Sequence, residues 1–306
     1  MGVIRSAAAP TPTQSQPLKA AMWMGGAIVS FSAMTIGGRS LSSELDTFEI
    51  MLFRSVIGVI VVLGLAVSFR TVRQIQANRL GLHLTRNLSH FAGQNLWFYA
   101  ITVLPLAQVI ALEFSSPLWV ALAAPFFLNE RLTLIRAVSA VLGFIGILIV
   151  ARPDFSSLNP GLAAAALAAI GFAGSAIFTK MLTRDQSITC IMFWLTAMQL
   201  IFGVICAGYD GDIAVPSGPL VPWMVLVGLS GLLAHFCLTK ALTIAPATIV
   251  IPFDFLRLPV IAILAMLIYG EALEIWVLVG AVIIFGANYL NIWTEARTRR
   301  TEAVQG

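Results

Sequence analysis

The sequence predicts an all-α integral membrane protein of ten transmembrane helices, arranged as two inverted five-helix repeats. Three observations predict it. The chain is 59% hydrophobic and only 10% charged, where a soluble domain carries about 25% charged residues. Apolar runs of about 20 residues, the length needed to cross the hydrocarbon core, recur along most of its length. The stretch from Ala100 to about Val141 also returns, without a gap, from Ala241 to about Val282. That alignment places Pro105 on Pro246, Phe114 on Phe255 and Glu130 on Glu271.

In chain order, residues 1–18 are rich in Pro, Ser, Thr and Gln without periodicity, which predicts a disordered tail. The apolar run that follows is long enough to span and is taken as the first helix, not as a cleaved signal. Spans are expected near 19–38, 48–69, 84–103, 105–128, 132–151, 160–180, 187–208, 221–240, 245–269 and 273–293. The first repeat is then 19–152, the second 159–293, and a basic tail 294–306 follows. Connections are short, and backbone groups in lipid must be satisfied within each segment, so a helical bundle is the architecture expected.

Orientation follows from Lys and Arg. With the N-terminus inside, the inner segments hold Arg5, Lys19, Arg70, Arg73, Arg79, Arg86, Arg131, Arg136, Lys180, Arg184, Lys240, Arg297, Arg299 and Arg300. The outer segments hold only Arg39 and Arg152, beside several acids. Both termini are therefore expected in the cytoplasm. An odd number of helices per half inverts the second half. Glu113 then lies about 12 Å from one face and Asp254 about as deep from the other, at 1.5 Å per residue.

Glu113 and Asp254 occupy matching positions in the repeat. An acid inside a lipid-compatible run is costly and points to a functional site. A repeated, proline-interrupted helix with such an acid is the pattern of a secondary transporter. Both acids are candidates for substrate binding and for proton coupling. Pro117 lies four residues after Glu113, and Pro252 and Pro259 flank Asp254. Each proline removes a backbone donor and predicts a kink beside the acid. Arg257 follows Asp254 by three residues on one helix face and is either a substrate contact or an ion-pair partner of the acids. Arg54 is expected to be structural, paired with Glu49.

His90, Gln94 and Trp97 form a polar stripe on one face of the third span, with Asn95 beside it. The repeat offset sets His235 opposite Gln94. These residues are candidate cavity linings, and Trp97 and Trp119 are candidates for stacking on a planar or cationic substrate. Glu130 and Glu271 are expected to be turn residues. Cys190, Cys206 and Cys237 lie in apolar runs without metal-ligand spacing and are expected to be buried thiols. Gly228-Leu229-Ser230-Gly231 resembles the nucleophile motif of an intramembrane protease. The few histidines leave it without a base, so it is taken as a small-residue packing face.

The segments PLAQVIALEFSSPLWVALAAPFFLNERL and APATIVIPFDFLRLPVIAILAMLIYGEAL, each followed by a Gly-containing helix, resemble EamA-type carriers of the drug/metabolite transporter superfamily. The resemblance covers about residues 20–293. It implies a bacterial inner-membrane carrier of small metabolites with a central cavity lined by helices one, three, four, six, eight and nine. His90, Gln94, Glu113, His235, Asp254 and Arg257 fall on those helices. The function expected is transport of a small polar or zwitterionic metabolite by alternating access, proton coupling being one option and export favoured. No enzyme activity, cofactor, metal or nucleic-acid partner is expected, and the chain is expected to be a monomer or weak homodimer. The alternative is a non-transporting receptor or scaffold whose buried charges only pair with one another.

Overall fold

A computed structural model describes residues 16–128, 133–151, 160–209 and 211–272, with eleven further positions between 275 and 293. The tail 1–15, Glu130 in its turn, the join between the expected repeats and the tail 294–306 lie outside the described residues. The helices are α1 (Pro17–Leu41), α2 (Thr47–Ser68), α3 (Leu80–Val103), α4 (Leu106–Glu113), α5 (Ser116–Phe127) and α6 (Leu134–Ala151). Then come α7 (Pro160–Leu182), α8 (Ile188–Ala207), α9 (Val221–Ile244), the single turn α10 (Ala247–Val250) and α11 (Arg257–Tyr269). The described positions between 275 and 293 are helical as well. Among the described residues, six helices are long and apolar enough to cross a membrane by length and composition.

Local chemistry sets the ends. Pro17 opens α1 in its first turn, where a missing N–H is no loss. Asp46 and Glu49 form a reciprocal capping box at the start of α2. Glu49 also accepts from the Ala214 backbone N–H at 2.6 Å. It is therefore not the partner of Arg54, whose guanidinium instead approaches Met51 Sδ at 3.6 Å. Leu104 and Ala245 are both extended and both precede a proline, which ends α3 and α9 in the same way.

The two expected kinks are interruptions of the α-helix. The fourth span stops at Glu113 and restarts at Ser116, with Pro117 in the new first turn, where a proline costs least. The ninth span passes from α10 through a 3₁₀ segment, Ile251–Leu256, into α11. Asp254 and Pro252 lie in that tighter segment, and Pro259 lies in the first turn of α11.

The helices pack in matched pairs. α1 lies against α9, and α3 lies against α7. Exchange of the two halves turns each pair into the other. α2 against α8 is its own counterpart, and the contact of α4 with α11 is matched by that of α5 with α10. Small residues bring backbones close: a Cβ on Gly171 would stand 2.8 Å from Gly93 Cα and from Ser89 O. Gly228 meets Ile57 in a similar way, which makes the Gly/Ser tetrad a packing face. Apolar side chains such as Val29, Leu65, Phe126 and Leu267 cover the outside, as a lipid-facing surface requires.

A candidate transport cavity

The breaks in the fourth and ninth spans face each other across the molecule, and a cavity lies beside them. It lies between α1, α3, the α4–α5 break, α7, α9 and the 251–257 segment. Its wall includes His90, Gln94, Trp97, Glu113, His235, Asp254 and Arg257, together with Pro117. Trp119 lies apart, 42% exposed on the outside of α5. Pro252 and Pro259 shape the backbone next to Asp254 without lining the cavity. Asn95 donates to the Phe91 carbonyl of its own helix at 2.8 Å.

Three ionisable groups converge at one end. Arg257, 1% exposed, donates through Nη2 to Glu113 Oε1 and to Asp254 Oδ2, the latter at 2.8 Å. The indole N–H of Trp97 donates to the second Glu113 oxygen at 2.7 Å. The guanidinium carbon lies 5.2 Å from the Phe31 ring centre and 5.1 Å from that of Phe114, which holds the cation between two aromatic faces. One acid comes from each repeat and the arginine from the second only. Asp254 Oδ1 is buried without a partner, so this end retains an acceptor for a ligand.

Midway along α3, His90 and His235 meet edge to face with centroids 4.5 Å apart. Phe31 flanks His235 and Phe172 flanks His90. The Nε2 atoms of both histidines and Oε1 of Gln94 are buried without a partner. Buried polar groups normally find partners, so this middle section offers unused hydrogen-bonding capacity next to aromatic faces.

The other end holds a residue that sequence reasoning placed elsewhere. Arg86, counted above among the inner-segment charges, is 2% exposed and lines the cavity. It donates through Nε to Thr179 Oγ1 at 3.1 Å and through Nη1 to Asn87 Oδ1 at 2.9 Å. Its position four residues before His90 was the available signal, because i and i+4 share a helix face. Among the described residues no group of three or more metal-ligating side chains is present.

Outside the cavity, Glu271 pairs with Arg39 at 2.5 Å, and the Arg39 guanidinium stacks over Tyr269. Lys180 donates to the carbonyls of Leu242 and Ala245 at 2.6 and 2.8 Å, covering free carbonyls at the end of α9. Cys190 and Cys237 are buried, while Cys206 is only half-buried.

Comparison with known proteins fits this arrangement. The profile of the EamA-like transporter family matches residues 18–152 and again residues 159–293. The chain is 31% identical to an S-adenosylmethionine uptake transporter of Rickettsia felis over 283 residues, covering 92% of this chain and 95% of that one. It is 33% identical to a riboflavin transporter of Brucella anthropi over 256 residues, covering 82% and 90% of the two chains. One crystal structure shares the fold with a TM-score of 0.73 at 17% identity, covering 91% of this chain and 98% of that one.

Proposed function

The chain belongs to the EamA-like transporter family, as an integral multi-pass transporter of small metabolites and not an enzyme, and from that premise we propose what it carries and how. The substrate is a small polar or zwitterionic metabolite with a flat nitrogen heterocycle. Two relatives of similar identity are named for S-adenosylmethionine and for riboflavin. Both compounds join such a ring to a hydroxylated chain or sugar. The aromatic walls of the cavity and the unpartnered His90, His235 and Gln94 atoms support that class.

The observation that carries the mechanism is the bridge of Arg257 to one acid from each repeat. A charge network shared by both halves is disturbed whenever the halves move apart, and a ligand that binds its members biases that motion. A substrate cation, or a proton, competes with Arg257 for Glu113 and Asp254. Release of that bridge lets the repeats, 19–152 and 159–293, rock between states open to either side. In this reading Arg257 governs the acids and does not itself hold the substrate carboxylate. Transport is inward, since the rickettsial relative is named for uptake. The protein acts in the inner membrane with both termini cytoplasmic, as a monomer or weak homodimer.

The test is uptake of labelled S-adenosylmethionine and riboflavin into liposomes holding the purified protein, with and without an imposed pH gradient. Wild type should accumulate one of them, and Glu113→Gln should lose the response to the gradient. Gradient-driven uptake that persists in Glu113→Gln would remove that acid from the coupling role.

A further inference from the structure

The charges of the cavity are sorted by sign. Its two acids, Glu113 and Asp254, lie on Arg257 at the Trp97 end. The opposite end carries Arg86, with only the neutral partners Thr179 and Asn87. From Arg86 to Trp97 the α3 axis rises about 16 Å at 1.5 Å per residue. Arg54 stands behind this end on α2, 7% exposed, and Gly231 of α9 packs against its guanidinium. Neither Arg54 nor Arg86 makes an ion pair among the described residues. Between the two ends lie His90 and His235, which add no negative charge.

A guanidinium withdrawn from water without a counter-charge is expensive. Here two such groups are held, one of them open to a cavity that a metabolite enters. The missing counter-charge is therefore to be sought in the ligand. We propose that Arg86 is an anion-binding subsite, which receives a carboxylate or phosphate of the transported molecule on its forked N–H groups. Thr179 holds Nε and so fixes the plane of the fork. The anionic group points toward Arg86, away from Glu113 and Asp254, and any cationic group points toward the acids. This rests on the carrier reading above and adds the charge and orientation of its substrate.

The experiment compares matched ligands on the full-length protein in detergent, with dissociation constants from tryptophan fluorescence and melting temperatures as a second readout. One pair is S-adenosylmethionine and its decarboxylated analogue, which differ by the carboxylate alone. The other is riboflavin and riboflavin 5′-phosphate. A hydrogen-bonded charge contact of about 1.5–3 kcal/mol gives wild type a preference of about tenfold or more for the member that carries the carboxylate or phosphate. Arg86→Gln should bring that ratio to near one, chiefly by weakening that member. Arg86→Lys, which keeps the charge without the fork, should fall between them.

Preference within the first pair identifies a carboxylate site, and preference within the second a phosphate site. Equal binding within both pairs by wild type, or full discrimination retained by Arg86→Gln, overturns the proposal. The wild-type comparison stands even where Arg86→Gln does not fold. If none of the four compounds binds, the substrate class proposed above falls, and inorganic phosphate decides the subsite. Stabilisation of wild type that is weaker in Arg86→Lys and lost in Arg86→Gln supports it, while no stabilisation of wild type, or equal stabilisation of Arg86→Gln, overturns it.

Discussion

Arg257 is held inside the protein through Nη2, while its Nε has no hydrogen-bond partner. Its side chain is 2% exposed, and it touches two carboxylates and two aromatic rings. Removing one member of a buried charge group leaves the others uncompensated, at about 3–5 kcal/mol. Arg257→Leu should therefore destabilise the protein by about that amount, measured by unfolding in mixed detergent micelles. Glu113→Gln should cost less, because an amide oxygen still accepts from Trp97 and the arginine keeps Asp254. Equal stability of Arg257→Leu and wild type would deny the triad its part in holding the two breaks together. The acids were legible in the sequence because a charge inside an apolar run stands out by itself. Their junction through Arg257 was one of two readings left open, since 144 residues separate Glu113 from Arg257 and only packing decides between them. Arg86 was hidden for the opposite reason: near the start of its span it passed for a surface charge. Arg54 illustrates the limit of pairing by proximity in sequence, because Glu49 is taken up by the α2 capping box and by Ala214.

At the scale of elements, the contact of α3 with α7 is set by glycine. Gly171 faces backbone atoms of Ser89 and Gly93, so an added methyl group has no side chain to push aside. Gly171→Ala should destabilise the protein by about 1–3 kcal/mol, the usual cost of overpacking. Gly64 on α2 has nothing within 4 Å of its prospective Cβ. Gly64→Ala should be neutral or stabilising by about 0.5–1 kcal/mol, the helix penalty of glycine. The pair of variants in one unfolding assay separates packing from helix propensity, and equal effects would contradict the close approach. Helix positions were legible from apolar length and from prolines, which end helices for local reasons. The sequence suggested kinks at Pro117 and beside Asp254, and the structure has interruptions of the helix. A proline alone specifies a lost hydrogen bond, whereas the size of the disruption depends on what the neighbouring helices tolerate.

For the molecule as a whole, the matched packing of α1 with α9 and of α3 with α7 places the cavity on the line that relates the two halves. The Arg39–Glu271 pair, half exposed, joins α1 to the segment after α11 at one end of that line. Such a pair contributes only about 0–1 kcal/mol to stability. A conformational equilibrium poised within a few kcal/mol is nonetheless sensitive to it. Glu271→Gln should leave the melting temperature nearly unchanged while increasing thiol labelling of a cysteine placed at Met34 in the cavity. Unchanged labelling would show that this contact does not restrain opening. The repeat was legible because proline and acid positions survive in both copies, while the Arg39–Glu271 pair and the carbonyl contacts of Lys180 join residues far apart in the chain.

The two halves are alike at their acids and unlike at the base. Arg257 of the second half stands where the first half has Ser116, itself part of the cavity wall. Two identical copies of the first half, set against each other in the same way, would bring together two carboxylates with no cation. Two identical copies of the second would bring together two complete acid–base pairs. Position 116/257 is thus one place where the two halves cannot be exchanged. A chain made from two first halves should assemble only once Ser116→Arg is introduced into one of them.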